Sequence, residues 1–479
     1  MRPTPRKALT LFRTLTALLS AVLAADCTVG PNYQRPPTVT PTSFRNQITP
    51  AEASSLADLP WWSVFNDQEL QVLITEALRN NYDLQIAVSR IEQARALVGV
   101  AASEGKPQVG YEASAEGDRI IAAQVDRPTT VDYGLIGGAL NAAWEIDVWG
   151  RIRRSTEAAR ANLYAQEDIR RGVLLTLVTD VASSYFQLIE LDRELAIAEN
   201  STSVFKRTLD LFTDRFKAGR DSELPVQRAE ANYRAANANV ANLKRAIAVQ
   251  EDALSVLLGA YPKDIVRGRL LEDQTMPSTP LSATTVLLER RPDILAAEHN
   301  MVSANAEIGV ALADFFPKIG LSAMLGGAGI GIHNTFAGFG LWNAALGATG
   351  PIFTGGRLKA VYHQRQAYWD ETVASYKKTV LVAFQETSDA LAAQQNLVRQ
   401  RAEQELQVVS LQKSVDTALL RYDNGRASYF EVIDAEQQLF PAQVAVAQTQ
   451  RDQLLAVVGL YKALGGGWSL TPADWVRPH

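Results

Sequence analysis

The chain has one cysteine, four histidines and two long tracts nearly free of glycine and proline, and each shortage removes a class of explanation. With Cys27 alone, no intramolecular disulfide can form. His299, His333, His363 and His479 are scattered without metal-ligand spacing, so no metal site is expected. No nucleophile elbow and no phosphate-loop motif occurs, and Gly326-Gly-Ala-Gly-Ile-Gly331 lies in a strand-and-loop region with no helix after it. Those glycines read as barrel or loop packing. Carboxylates are plentiful, but on long helices they read as solvated faces. The composition therefore argues against an enzyme and calls for no small-molecule cofactor.

The missing helix breakers are the positive signal. From Arg151 to Lys217 the only glycine is Gly172 and there is no proline, and from Arg357 to Asn424 there is neither. Each tract can run as one helix of about 100 Å at 1.5 Å per residue, far beyond the 11–12 residues of an average globular helix. Arg160, Glu167, Asp168, Asp180, Glu190, Asp192 and Arg193 recur through the first tract, which argues against a membrane span of about 20 apolar residues.

The two tracts are copies of one unit. Arg215-Phe-Lys-Ala-Gly219-Arg220-Asp-Ser222 matches Arg421-Tyr-Asp-Asn-Gly425-Arg426-Ala-Ser428 at a displacement of 206, and Ala229-Glu230 matches Ala435-Glu436 at the same displacement. Gly219 and Gly425 stand where a helix C-cap needs positive φ. Ser222 and Ser428 are placed to cap returning helices, and Ser428 with Glu431 spells a capping box. Pro225 suits a first turn, whereas Pro441 predicts a kink.

Ahead of each tract lies a glycine- and aromatic-rich segment. Two strands per copy are expected, about ten residues each, the length of transmembrane β-strands. Their alternation is weak. Four strands cannot close a barrel, so the chain is expected to oligomerise.

The predicted organisation is a signal peptide at 1–26, an anchored segment at 27–65, a first repeat at 66–259, a linker at 260–281, a second repeat at 282–464 and a tail at 465–479. The first repeat holds helices 66–105, 151–217 and 223–258 with strands 107–117 and 133–148. The second holds helices 282–314, 357–424 and 429–464 with strands 317–327 and 340–353.

Arg2, Arg6 and Lys7 precede an apolar run from Ala8 to Ala25, broken by Arg13, which reads as a secretory signal. Removing residues 1–26 takes away four basic residues and Asp26, moving the net charge from −5 to −8. That balance does not suggest nucleic-acid binding. Cys27 follows the apolar run directly. It is either a lipidation site at the new amino terminus or an incidental cysteine beside cleavage after Ala24 or Ala25; a lipobox normally has a small residue where this chain has Asp26.

Four motifs then appear in order: Cys27-Thr-Val-Gly-Pro-Asn-Tyr-Gln-Arg-Pro36, Trp61-Trp62-Ser-Val-Phe-Asn-Asp-Gln-Glu-Leu70, Arg290-Arg-Pro-Asp293 and Gly350-Pro-Ile-Phe-Thr-Gly-Gly-Arg357. With them the chain resembles the TolC-like outer-membrane factors, the lipoprotein channels of tripartite RND-type drug efflux systems. The resemblance spans essentially the whole mature chain. It implies an α+β membrane protein: a homotrimeric, twelve-stranded transmembrane β-barrel, four strands per chain, continuous with a long periplasmic helical coiled-coil barrel and a mixed equatorial belt. It also implies an exit duct in the outer membrane of a Gram-negative bacterium, no enzyme, with a diacylglycerol and an N-acyl lipid on Cys27. The implied partners are outer-membrane lipid, a periplasmic adaptor and an RND-type inner-membrane transporter.

The same resemblance places a gate at the hairpin tips, where Phe430 and Asp434 match the family's apolar and acidic rings. Three copies of one aspartate around an axis disfavour anions and attract cations. Tyr422 and Glu431 are placed to hold neighbouring hairpins closed, and Gly219, Arg220, Gly425 and Arg426 are tip residues facing the adaptor. Blander readings stand beside these: Phe430 as core, Glu431 as part of the capping box, Asp434 as a carboxylate favoured at any helix start. Two other functions remain open from sequence, a type I protein-secretion channel of the same fold and a secreted coiled-coil scaffold without a pore.

Overall fold

The computed structural model describes residues 28–38, 40–47, 55–124, 127–277, 279–281, 284–332, 335–467, 470–471 and 475, with backbone only at 120–124, 127–131, 332 and 335. The expected signal peptide, Cys27, His333, Asn334 and His479 lie outside these residues.

Seven long helices are α1 (Gln68–Asn80), α2 (Tyr82–Ser103), α3 (Arg151–Lys217), α4 (Glu223–Leu257), α5 (Pro292–Ala313), α6 (Arg357–Asp423) and α7 (Tyr429–Ala463). The helices α3 and α6 have 67 residues each, and α4 and α7 have 35 each. Arg151 and Arg357, Lys217 and Asp423, Glu223 and Tyr429, Leu257 and Ala463 all stand 206 positions apart, so the duplication holds to the residue. Pro441 lies inside α7 without ending it. One window of α3 is long and apolar enough to cross a membrane by composition, contrary to the expectation from its charges, but 61% of that window is buried inside the protein.

The expected helix 66–105 is two helices. Asn81 takes an extended conformation at the end of α1, and its side-chain oxygen accepts from Leu84 N–H at 3.1 Å, capping α2. The expected helix 282–314 is also divided: short turns at Thr284–Val286 and Leu287–Arg290 precede α5. Arg291 is extended, as a residue before proline must be, and Pro292 opens α5, where its missing N–H costs nothing.

The strands β1 (Gln108–Gln124), β2 (Arg127–Ile146), β3 (Lys318–Ile332) and β4 (Thr335–Thr349) form one antiparallel sheet in that order. They have 17, 20, 15 and 15 residues, longer than the ten expected, because pairing continues to Gln124 with Arg127 and to Ile332 with Thr335. Register makes the alternation plain. Tyr111 pairs with Leu140, Leu140 with Leu325 and Leu325 with Trp342, an apolar row across all four strands whose members are all exposed in the chain. The adjacent row, Gly110, Asn141, Met324 and Asn343, carries two asparagines and faces the other way. One face therefore suits hydrocarbon and the other suits water. The glycines of 326–331 stand in β3; a Cβ on Gly326 would meet Gly138 O at 2.4 Å, and one on Gly329 would enter the Phe336 ring.

The residues divide into two compact units, described separately: Met1–Pro37, Ser89–Glu167 and Ala296–Lys377 in the first, and Thr38–Val88, Asp168–Leu295 and Lys378–His479 in the second. In the first unit the Gly-Pro-Asn-Tyr motif is an anchor. Gly30 (φ +101°) leaves no room for a Cβ, which would lie 2.6 Å from Gly309 Cα. Pro31 O accepts from Asn305 Nδ2 (2.8 Å), Asn32 Oδ1 from Arg154 Nη2 (2.7 Å), and Tyr33 donates to Glu298 Oε1 (3.1 Å), which also pairs with Arg35.

In the second unit Asp67 is a hub. It caps α1 by accepting from Glu69 and Leu70 N–H, and it accepts from Tyr185 Oη (3.1 Å), Arg269 N–H (3.1 Å) and Gln274 Nε2 (2.8 Å). Trp61 Nε1 donates to Trp475 O at 3.2 Å. Arg291, buried, bonds Asp293, Glu386 and the Ala463 carbonyl. The residues before α1, the linker and the tail are thus tied together.

Candidate functional site at the hairpin tips

Both long helices close in the same way. Arg220 N–H donates to Arg215 O (2.9 Å) and Gly219 N–H to Phe216 O (2.9 Å); Arg426 N–H donates to Arg421 O (2.8 Å) and Gly425 N–H to Tyr422 O (2.9 Å). This is the Schellman closure, which requires a left-handed residue. Gly219 has φ +67° and Gly425 +68°. At neither would a Cβ meet an atom within 4 Å, so conformation rather than space selects glycine.

Ser222 and Ser428 adopt the extended N-cap conformation, but neither side chain makes a cap bond. The expected Ser428–Glu431 capping box is not formed. Glu431 N–H donates instead to Ser428 O at 3.1 Å, which satisfies the donor the box would use. The Glu431 carboxylate turns to Arg421 Nη1 at 3.3 Å. That pair is solvent-accessible and contributes about 0–1 kcal/mol.

The inner side of the tips is an apolar cluster of Phe212, Ala229, Ala418, Tyr429 and Val432. The Tyr429 ring lies 4.2 Å from Phe212 and 5.2 Å from Tyr422, both edge-to-face, and its hydroxyl donates to Thr208 Oγ1 at 2.6 Å. The Arg215 guanidinium sits 5.1 Å from the Tyr422 ring centroid. Thr208, Phe212 and Arg215 belong to the first repeat, Tyr422 and Tyr429 to the second. These contacts join the two hairpins of one chain.

The other side of α7 faces outward. Phe430 is 62% exposed, and Asp434, one turn on, is exposed with its carboxylate accepting from Gln438 Nε2 at 2.8 Å. Gly219, Arg220, Gly425 and Arg426 are exposed at the turns. Of the four expected gate residues, then, the structure puts Phe430 and Asp434 on one open face, Tyr422 in the inner cluster, and Glu431 in a pair within its own hairpin.

Sequence reasoning missed Thr208, Phe212, Arg215 and Tyr429, and above all Glu436. Glu436 follows Tyr429 and Val432 at helical spacing, which carries it onto the buried stripe. It is 8% exposed, its Oε2 has no hydrogen-bond partner, and burial pushes its carboxyl up to about 7 against the opposing pull of Arg207. Its counterpart Glu230 merely pairs with Arg234 at 3.3 Å.

Residues 73–260 and 284–466 match the outer membrane efflux protein family. The chain belongs to that family. It is 32% identical over 454 residues to the cation efflux system protein CusC of Escherichia coli O157:H7, covering 94% of this chain and 97% of the relative. It is 31% identical over 462 residues to a probable outer membrane lipoprotein, SilC, of Salmonella typhimurium, covering 93% and 97%. Among solved structures, the outer-membrane channel OprN superposes with a TM-score of 0.82 at 29% identity, covering 93% of this chain and all of that one.

Outer membrane efflux proteins are channels, not catalysts by classification, and the fold class read from the sequence is theirs: four strands per chain of a trimeric barrel, joined to long helices. The protein is the outer-membrane exit duct of an efflux system in a Gram-negative bacterium, its helical barrel in the periplasm. The pore-less scaffold and protein-export readings give way to efflux.

Proposed function

We propose that the hairpin tips are the gate of this duct, with Phe430 and Asp434 as its apolar and acidic rings. The observation that carries the reading is their shared face: Phe430 and Asp434 are exposed one turn apart at the start of α7, while the opposite side of that turn is committed to the chain's own core. Threefold repetition sets three carboxylates around an axis, which disfavours anions and attracts cations. The closed state is held within each chain by Arg215 on Tyr422 and Tyr429 on Phe212 and Thr208. Glu431 acts on Arg421, stiffening the second hairpin.

The assembly we infer is a homotrimer. β1 and β4 each leave one edge unpaired within the chain, and further copies supply the partners those edges require. The exposed turns at Gly219, Arg220, Gly425 and Arg426 receive a periplasmic adaptor, which links the duct to an RND-type transporter. Cys27, directly after the apolar run of the secretory signal, carries the lipid anchor.

Single-channel recording in a planar bilayer tests the gate. A small wild-type conductance that rises in Phe430→Ala and loses cation preference in Asp434→Ala is the expected result; unchanged conductance and selectivity in both variants would overturn the reading.

A further inference from the structure

We propose that a cavity of about 430 Å³ between α3, α6 and α7 is a binding site for a small organic amine with an apolar body, its ammonium group held by Glu436. It lies behind the tip cluster, within one chain, and Asp434 is not among its lining residues. The inference goes beyond the gate and does not depend on it.

Two unmet polar atoms carry it. Glu436 Oε2 on α7 and Tyr422 Oη on α6 are both buried without a hydrogen-bond partner, and both residues line this one cavity. Native interiors leave few such atoms, and a buried carboxylate oxygen without a donor is costly. An ammonium group supplies donors to the Glu436 oxygen, and a ligand lying along the cavity covers Tyr422. The rest of the wall is mixed: Val204, Leu211, Val415, Leu419 and Leu439 give it an apolar side, and Asn200, Gln412 and Gln443 a polar one. The volume falls within the range of about 300–1,000 Å³ typical of small-molecule sites.

The charges favour a cation. Asp416 and Asp423 on α6 and Glu436 on α7 face the cavity, against Arg207 on α3. An anion would be repelled by three carboxylates and attracted by one guanidinium, whereas an ammonium is attracted by the three and repelled by the one. Burial raises the Glu436 carboxyl to about 7, so affinity for the amine increases as pH rises through that value and the carboxylate ionises. A bound amine bonds α7 while packing on α3 and α6, so it fastens the second hairpin to the first.

The test uses the purified full-length protein in detergent and calorimetric titration with 1-naphthylmethylamine, compared with the uncharged 1-naphthylmethanol. Wild type is expected to bind the amine at one per chain and the alcohol at least tenfold more weakly, as charge-assisted bonds exceed neutral ones by about that factor. Glu436→Gln should weaken the amine about tenfold or more and leave the alcohol unchanged; Leu419→Trp, which fills the cavity and keeps the carboxylate, should abolish both. Asp434→Asn should bind the amine as wild type does. Equal affinity of wild type for amine and alcohol, undiminished amine binding in either cavity variant, or loss confined to Asp434→Asn would overturn the site, the last by moving the amine to the outer aspartate.

Discussion

The Arg215 guanidinium lies over the Tyr422 ring, 5.1 Å from its centroid, and the two residues come from opposite halves of a duplicated chain. Each stands at the last turn of a 67-residue helix. This contact, with Tyr429 on Phe212 beside it, is where the two copies are fastened to each other at the tips.

Arg215→Ala removes that fastening. A cation over a half-buried aromatic face contributes about 0.5–2 kcal/mol, so the folded chain should persist while the tips part more readily. Single-channel records should show more frequent opening, and cells carrying the variant should admit a bulky polar antibiotic that the intact outer membrane excludes. Arg215→Lys, which keeps the charge without the planar face, should fall between wild type and alanine.

Tyr429 separates packing from hydrogen bonding. Tyr429→Phe loses only the bond to Thr208 and should cost about 1 kcal/mol, whereas Tyr429→Ala leaves a cavity among Phe212, Tyr422 and Val432 and should cost about 3–5 kcal/mol. Thermal unfolding of the helical signal measures both.

Gly425→Ala should destabilise by about 1–2 kcal/mol, because φ is +68° while the space around the Cα is empty. Gly425→Asn should recover part of the loss, since asparagine tolerates the left-handed region. Gly219 should respond alike. A bulk effect would instead scale with side-chain size, which the alanine and asparagine pair of variants distinguishes by melting temperature.

Glu436 gives a pH dependence of definite sign. Its carboxyl is raised by burial from 4.5 to about 7. Below about 4.5 it is protonated folded or unfolded and costs nothing as an ion; between 4.5 and 7 the unfolded chain ionises first, so stability falls as pH rises, and above 7 the whole penalty is present. Glu436→Gln should therefore be more stable than wild type at pH 8, by roughly 1–3 kcal/mol, with the difference shrinking toward pH 4.5. A variant equally more stable at both pH values would refute burial of the charge as the cause.

The long helices were legible because their signal is an absence, of glycine and proline, which needs no knowledge of neighbours. Gly219 and Gly425 were legible for the same local reason. Ser428 and Glu431 were misread because three-residue spacing names a possible bond, while the actual donor at Glu431 had a carbonyl closer to hand and Arg421 lay across the turn. The strand ends were illegible since glycine-rich β segments and their turns share a composition, and the Tyr111, Leu140, Leu325 and Trp342 row exists only once register is known. Glu436 shows in the sequence only as a marker of the repeat, because nothing local says which side of α7 is dry.

The shared displacement of 206 makes the two long helices a pair of rulers cut to one length. A single heptad inserted into α3 alone would carry Arg215 about 10 Å past Tyr422, at 1.5 Å per residue, and leave Tyr429 facing the wrong turn. Changes of reach, such as a wider periplasm would demand, can be inherited only as matched insertions in both halves. Any lineage that lengthened one helix first would pass through an ancestor whose tips no longer met.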